Sequence, residues 1–257
     1  MPLFRTFVLL LLFSSCAHRI DYGPRGPMTD PQAILDVVRS RYDRVQSLRT
    51  EGRLGIESRE GSGSLRMALE VEKPDRIYLE TADILGNARG TFSTNGQDFV
   101  FYDPGENIFF TGPADADLLG QFLPVTLPPE EIAAFLLGQP PLLEGGEARL
   151  EVEPEGVYRI EIRREGIRQR IRVATRDLRL ISVETRGIPA VDMQAIEHAR
   201  IDSDLPVVTA FELRERRSET VVRVRLGNPE WNVSAEEELF ELRPPPGARI
   251  ERLGASD

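Results

Sequence analysis

Leu65-Arg66-Met67-Ala68-Leu69-Glu70-Val71-Glu72 decides the fold. Apolar side chains at 65, 67, 69 and 71 alternate with charged or small ones between them, the period of a strand with one buried face. Upstream the period is different. Asp30-Pro31 offers an N-cap followed by proline at the first helical position, and Ile34, Val37, Val38, Val45 and Leu48 recur at helical spacing, which predicts an amphipathic helix over 31–48. Downstream, further strands are predicted near 75–82, 88–94, 97–103 and 106–111. Lys73-Pro74-Asp75, Asn95-Gly96 and Asp103-Pro104-Gly105 provide the turns. Two short helices then interrupt the pattern, 114–123 and 129–138, the second closed by Gly138 and followed by Pro140-Pro141. Strands resume near 148–154, 156–164, 167–174, 178–185, 190–201, 207–215 and 219–227. The chain is therefore mainly β, of α+β type. So long an antiparallel meander must curl into a barrel, a half-barrel or a sandwich. The three helices are the only candidates to cover its apolar face, and the interior either packs solid or leaves an apolar cavity.

The amino terminus carries a different signal. Arg5, the apolar run Phe7 to Phe13 and two serines precede Cys16, the only cysteine of the chain. The run is too short for a permanent membrane span of about 20 residues and reads as a secretory signal peptide over 1–15. Phe13-Ser14-Ser15-Cys16 resembles a bacterial lipobox, which implies acylation of Cys16 and a membrane anchor rather than a span. Residues 16–30, with Gly23, Pro24, Gly26 and Pro27, read as a flexible tether, and 31–257 as one domain. A lone cysteine excludes internal disulfides.

The formal net charge of −10 argues against nucleic-acid binding, which needs clustered Lys and Arg. Arg159 and Arg163, with Arg168, Arg170 and Arg172, mark alternating strand positions and read as a solvated face paired with neighbouring glutamates. Catalysis is poorly supplied. The two histidines are His18, in the tether, and His198; Gly61-Ser62-Gly63-Ser64 is not a nucleophile elbow, and no P-loop or dinucleotide fingerprint occurs. Neither catalytic residues nor a metal or cofactor site is expected, and the chain is read as a non-enzyme.

In order and spacing, several motifs resemble the LolB family of outer-membrane lipoprotein receptors and, more loosely, the related LolA carriers. They are Thr50-Glu51-Gly52-Arg53, Arg76-Ile77-Tyr78-Leu79, Asp83-Ile84-Leu85-Gly86, Phe99-Val100-Phe101-Tyr102-Asp103 and Phe135-Leu136-Leu137-Gly138-Gln139-Pro140. The closing run from Leu239-Phe240 to Leu253 is similar to the last strand of carrier-like domains. The resemblance implies a single curved antiparallel sheet, a half-barrel of about eleven strands with a helical lid over an acyl-chain cavity. It also implies a lipid-anchored outer-membrane protein facing the periplasm, its partners being acylated lipoproteins and a periplasmic LolA-like carrier. Ala17, which is not Asp, fits outer-membrane sorting, and the protein is expected to be a monomer. Inward-facing Met67, Leu69, Val71, Ile77, Leu79, Phe99 and Phe101 would line the cavity.

Ile84 and Leu85 fall at a predicted hairpin tip, where exposed apolar side chains are a cost unless something apolar meets them. By the resemblance, Ile84, Leu85 and Gly86 form a loop that touches the membrane, with Leu85 at the protruding position. The alternative is that they fold back under the lid. Two functions follow: transfer of lipoproteins into the outer membrane, or a non-enzymatic scaffold, sensor or assembly subunit that uses the same fold to bind a protein.

Overall fold

The computed structural model describes residues 19–187, 190–201 and 205–254; Cys16 lies outside them. Six strands follow the first helix, α1 (Pro31–Tyr42): β1 (Ser47–Ser58), β2 (Gly61–Glu72), β3 (Arg76–Ala82), β4 (Ala88–Thr94), β5 (Asp98–Asp103) and β6 (Ile108–Pro113). Helices α2 (Ala116–Leu119) and α3 (Pro129–Leu136) come next. The chain continues with β7 (Glu147–Glu153), β8 (Val157–Arg164), β9 (Ile167–Ala174), β10 (Leu180–Arg186), β11 (Val191–Arg200), β12 (Pro206–Glu215), β13 (Thr220–Trp231) and β14 (Arg249–Arg252). All fourteen strands join one open curved sheet in the order β14-β6-β5-β4-β3-β2-β1-β13-β12-β11-β10-β9-β8-β7. Every ladder is antiparallel except β14 on β6. No helix among the described residues is long and apolar enough to cross a membrane.

The alternation in β2 does what its sequence demands. Met67, Leu69 and Val71 are buried on the inner face, and their cross-strand partners Leu79 and Ile77 on β3 join them in the same core. β1 is held close to both neighbours at Gly52, where an added Cβ would stand 2.3 Å from the Arg225 carbonyl oxygen and 2.8 Å from Met67 Cε.

Three expectations about the elements are corrected. The strand count is fourteen, not eleven. Helix α1 stops at Tyr42 rather than 48: backbone bonds of the three-residue kind, Arg44 N to Arg41 O and Val45 N to Tyr42 O, tighten the chain, and β1 begins at Ser47. Val45 and Leu48 kept the helical spacing because the sheet, not the helix, buries them in its own core. Helix α2 is one turn, narrower than 114–123, capped by the Asp115 side chain on Leu118 N at 2.9 Å.

The described part of the supposed flexible tether is docked. Tyr22 and Met28 pack on the β8–β9 core, Met28 N donates to the Tyr158 hydroxyl at 2.8 Å, and Thr175 Oγ1 donates to Asp21 O at 2.6 Å.

Two apolar cores share the sheet. One lies between α2, α3 and the inner faces of β1–β5 and β11–β13. The other is made by Ile34, Leu35 and Val38 of α1 on Tyr158, Ile160, Ile171 and Val173 of β8 and β9. Helix α1 therefore belongs to the second core and is not part of a three-helix lid.

After β13 the chain straps the outer face. Glu70, buried on that face, accepts from Arg49 Nε at 2.8 Å and from Glu236 N at 2.8 Å; Arg76 pairs with Glu237 and lies over the Phe240 ring; Ser93 Oγ donates to Leu239 O. The strap ends by adding β14 to the edge of β6.

Candidate functional site

Beneath α3 and the 123–127 segment lies a pocket of ≈ 60 Å³. Its lining is apolar throughout, with Ile77, Leu79 and Phe92 from the sheet and Leu123, Ile132 and Leu136 from the lid side. An apolar cavity of about 150 Å³ holds one benzene. A long acyl chain is larger still, so the lid as seen is closed.

Of the residues expected to line a cavity, Ile77 and Leu79 do so. Met67, Leu69, Val71, Phe99 and Phe101 belong to the same core but are covered by other side chains. Phe99 and Phe101 are capped by Phe122, whose ring centroid is 5.4 Å from Phe99, 5.0 Å from Phe101 and 5.0 Å from Phe110. Phe122 follows α2, inside the stretch read as a helix over 114–123, and nothing in the sequence marked it as the plug between lid and sheet.

The lid helix itself carries a cost. Glu131 Oε2 has no hydrogen-bond partner, and burial, with Glu130 adding a little, pushes its carboxyl above the ordinary range. A lid helix that carries an unsatisfied, partly buried carboxyl is held less firmly than one made of aliphatic side chains.

The hairpin tip between β3 and β4 lies on the surface. Ile84 is 76% exposed and Leu85 83%. The turn beneath them is stiff. Asp83 Oδ1 accepts from Leu85 N at 2.9 Å and Asn87 N at 3.0 Å, while Oδ2 accepts from Asn87 Nδ2 at 2.9 Å and Arg89 at 3.0 Å. Gly86 sits at φ +91°, which the turn requires and an L side chain resists. The Asn87 bonds, first of all, bring the Asp83 carboxyl down to about 2. The sequence left two readings open for this tip; the backbone puts the pair outside the lid.

Elsewhere charges pair within the sheet. On the outer face of β7–β10, Glu161 takes Arg163 and Arg168, Glu153 takes Arg172, and Glu184 takes Arg170. His198 is tied to the neighbouring strand: its Nε2–H donates to Leu180 O at 2.7 Å, and burial lowers its pKa.

No protein-family model matches the sequence, and no curated protein matches it. Solved structures do. A putative outer-membrane lipoprotein-sorting protein domain from Vibrio parahaemolyticus aligns with TM-score 0.55 at 11% identity, over 81% of this chain and 94% of that one. A DUF1329 family protein from Desulfovibrio piger gives 0.54 at 15% identity, over 82% and 98%. A LolA superfamily protein from Nitrosomonas europaea gives 0.50 at 10% identity, over 81% and 96%. The fold is LolA-like. Identities this low carry the LolA-like architecture alone.

Proposed function

We propose that this chain is a lipid-anchored, non-enzymatic protein of the outer membrane, facing the periplasm. In this reading it takes the acyl chains of lipoproteins under its lid and passes them to the membrane, as a LolB-like receptor would. The observation that carries the reading is the tip. Two large aliphatic side chains stand almost fully exposed on a turn that four hydrogen bonds to Asp83 hold in shape. Water is a poor partner for such a tip; a bilayer is a good one. Burying one leucine is worth about 1.5–3 kcal/mol, enough to bias a transfer step without anchoring the protein. Anchoring is assigned to the acylated Cys16. The apolar cavity is the seed of the acyl site, enlarged when Phe122 and α3 swing away from β3–β5. No bond is made or broken, and each handover needs only a tenfold affinity step, about 1.4 kcal/mol.

The ≈ 60 Å³ volume also favours a second reading, in which the closed lid is permanent and the molecule is a scaffold or sensor for a protein partner. One assay separates them. An acylated lipoprotein loaded on a LolA-type carrier is offered to the wild-type protein and to Leu85→Glu in the presence of liposomes. The receptor reading expects both to accept the lipoprotein and only the wild type to deliver it. Failure of the wild type to accept any acylated ligand overturns it in favour of the scaffold.

A further inference from the structure

The outer face of the sheet carries a charge arrangement that the lid and the tip do not explain. In register across five strands run Ala82, Arg66, Arg53, Arg225 and Ala210. Three arginines thus stand side by side, an arrangement that costs stability because like charges directly opposite repel. Arg225 is relieved by an ion pair with Glu197. Arg53 and Arg66, among the described residues, have no ion pair or hydrogen bond. Every other arginine in a strand interior is bonded to a carboxylate: Arg49, Arg89 and Arg223 are examples, as are the arginines of β7–β9. In a chain of net charge −10 carboxylates are not scarce. Two of them are at hand. The next row of the same face reads Glu80, Ala68, Glu51 and Gly227. It lies about 6.6–6.8 Å along the strands, yet neither Glu51 nor Glu80 pairs with the arginines.

Small side chains make this surface concave. Ala68, Ala82 and Gly227 leave a groove of ≈ 640 Å³ bordered by Arg53, Arg66, Glu51 and Glu80. The groove runs on into a hollow of ≈ 420 Å³ under the carboxy-terminal strap, between Tyr78 and Leu239. Its base adjoins the tip: Ala82, the partner of Arg66, immediately precedes Asp83.

Two free guanidinium groups facing two carboxylates that pair with no arginine, Glu51 and Glu80, the latter accepting from the Tyr78 hydroxyl at 3.0 Å, with room between, suit a ligand that carries both charges a short distance apart. Guanidinium forks match phosphate oxygens, and carboxylates accept from an ammonium group. We propose that Arg53 and Arg66, with Glu51 and Glu80, bind a phosphoethanolamine headgroup, phosphate on the arginine row and ammonium on the glutamate row. The membrane as source of that headgroup rests on the receptor reading; the headgroup chemistry does not. Beside a tip dipped in a bilayer, such a site would set the protein's tilt and bring the sheet against the lipid.

Calorimetric titration of the full chain in maltoside detergent tests this with three probes: glycerophosphoethanolamine, glycerol phosphate and ethanolamine. The expected result is saturable binding of the first, with each half-ligand at least tenfold weaker. Arg53→Gln/Arg66→Gln should abolish binding while melting no lower than wild type, since it dissolves a like-charge row. Glu51→Gln/Glu80→Gln should bring glycerophosphoethanolamine down to the level of glycerol phosphate. Competition by phosphatidylethanolamine in mixed maltoside micelles, absent with phosphatidylcholine micelles, would assign the site to a lipid headgroup; competition by the soluble probe alone would assign it to free phosphoethanolamine. Equal binding of glycerol phosphate and glycerophosphoethanolamine by the wild type overturns the proposal, as does binding that survives the double arginine variant or no binding at all. Leu85→Glu should leave this titration unchanged, so the site and the receptor reading can fail separately.

Discussion

The two cores of this sheet are built from the same kind of alternating strand and closed in different ways. On β8 and β9 the cover is one regular helix, α1, whose Ile34, Leu35 and Val38 meet Tyr158, Ile160 and Val173. On β1–β5 the cover is a one-turn helix, an eight-residue helix and the irregular chain between them, and a pocket lined wholly by apolar side chains is left beneath. The regular cover makes a foundation, and the patchwork one makes a lid. Between the two cores the ladder from β10 to β11 is short: among the described residues the register pairs Ser182 with Gln194 and Val183 with Met193. Side chains mend the seam. Asp192 accepts from Thr185 N at 2.9 Å and from Arg216 Nε at 2.8 Å, and Arg216 also donates to Thr185 O. The seam thus ties the half under the regular cover to the half under the patchwork one.

If that contrast is right, removing side chains should hurt the two cores unequally. Ile160→Ala empties a fully buried position under α1, where nothing can collapse into the gap, and should cost about 2–5 kcal/mol. Leu136→Ala trims a half-buried lid side chain beside an existing cavity and should cost only about 1–2 kcal/mol. Urea unfolding of both variants measures the difference. Equal losses would mean the lid is packed as tightly as the foundation.

Adding a methylene should reverse the ranking. Val173→Ile has no space and should overpack the α1 core, by about 1–3 kcal/mol. Val224→Ile points into the lid cavity and should stabilise by up to about 0.8 kcal/mol, while slowing lipoprotein acceptance in the transfer assay. A Val224→Ile protein that melts lower would show that the cavity is filled in solution.

How much of this contrast was legible beforehand follows from the range of each interaction. The strands could be read because alternation is local: Leu65 to Val71 states its own buried face. The two covers could not be told apart, because Pro31–Tyr42 and Pro129–Leu136 both present apolar stripes and the choice of core depends on contacts more than 100 residues away, such as Ile34 near Tyr158. The overrun of α1 has the same origin, since Val45 and Leu48 fit a helical stripe while serving the sheet. The lid plug Phe122 falls in the stretch read as a helix over 114–123, a reading silent on what it would cover, and β14 was seen only as a likeness, its parallel pairing with β6 being set by the strap that precedes it. For the candidate site, Ile84-Leu85 between two turn-like residues could be located from sequence, but not turned in or out. Only the bonds to Asp83 decide that.

Those bonds supply the smallest and most local contrast, because the tip is held by polar geometry and neither core reaches it. The Asp83 carboxyl is lowered to about 2, chiefly by the Asn87 side chain and backbone, against an ordinary value near 3.9. A depressed folded-state pKa contributes order that is fully present above about pH 4 and is lost as pH falls towards 2. Amide exchange at Leu85 and Asn87 should therefore stay slow from neutral pH to about 4 and quicken below it, with the two cores unchanged over the same span. Asp83→Ala should abolish that protection at every pH and leave the thermal midpoint where it is. Asp83→Asn keeps one acceptor for Leu85 N and Asn87 N but loses the charge that Arg89 meets, and should retain part of the protection with no acid transition. In the transfer assay the alanine variant should fall between wild type and Leu85→Glu, since the aliphatic pair is still present but no longer held outward. Full delivery by Asp83→Ala would show that the exposure of Leu85 suffices and that the stiff turn beneath it serves only the fold.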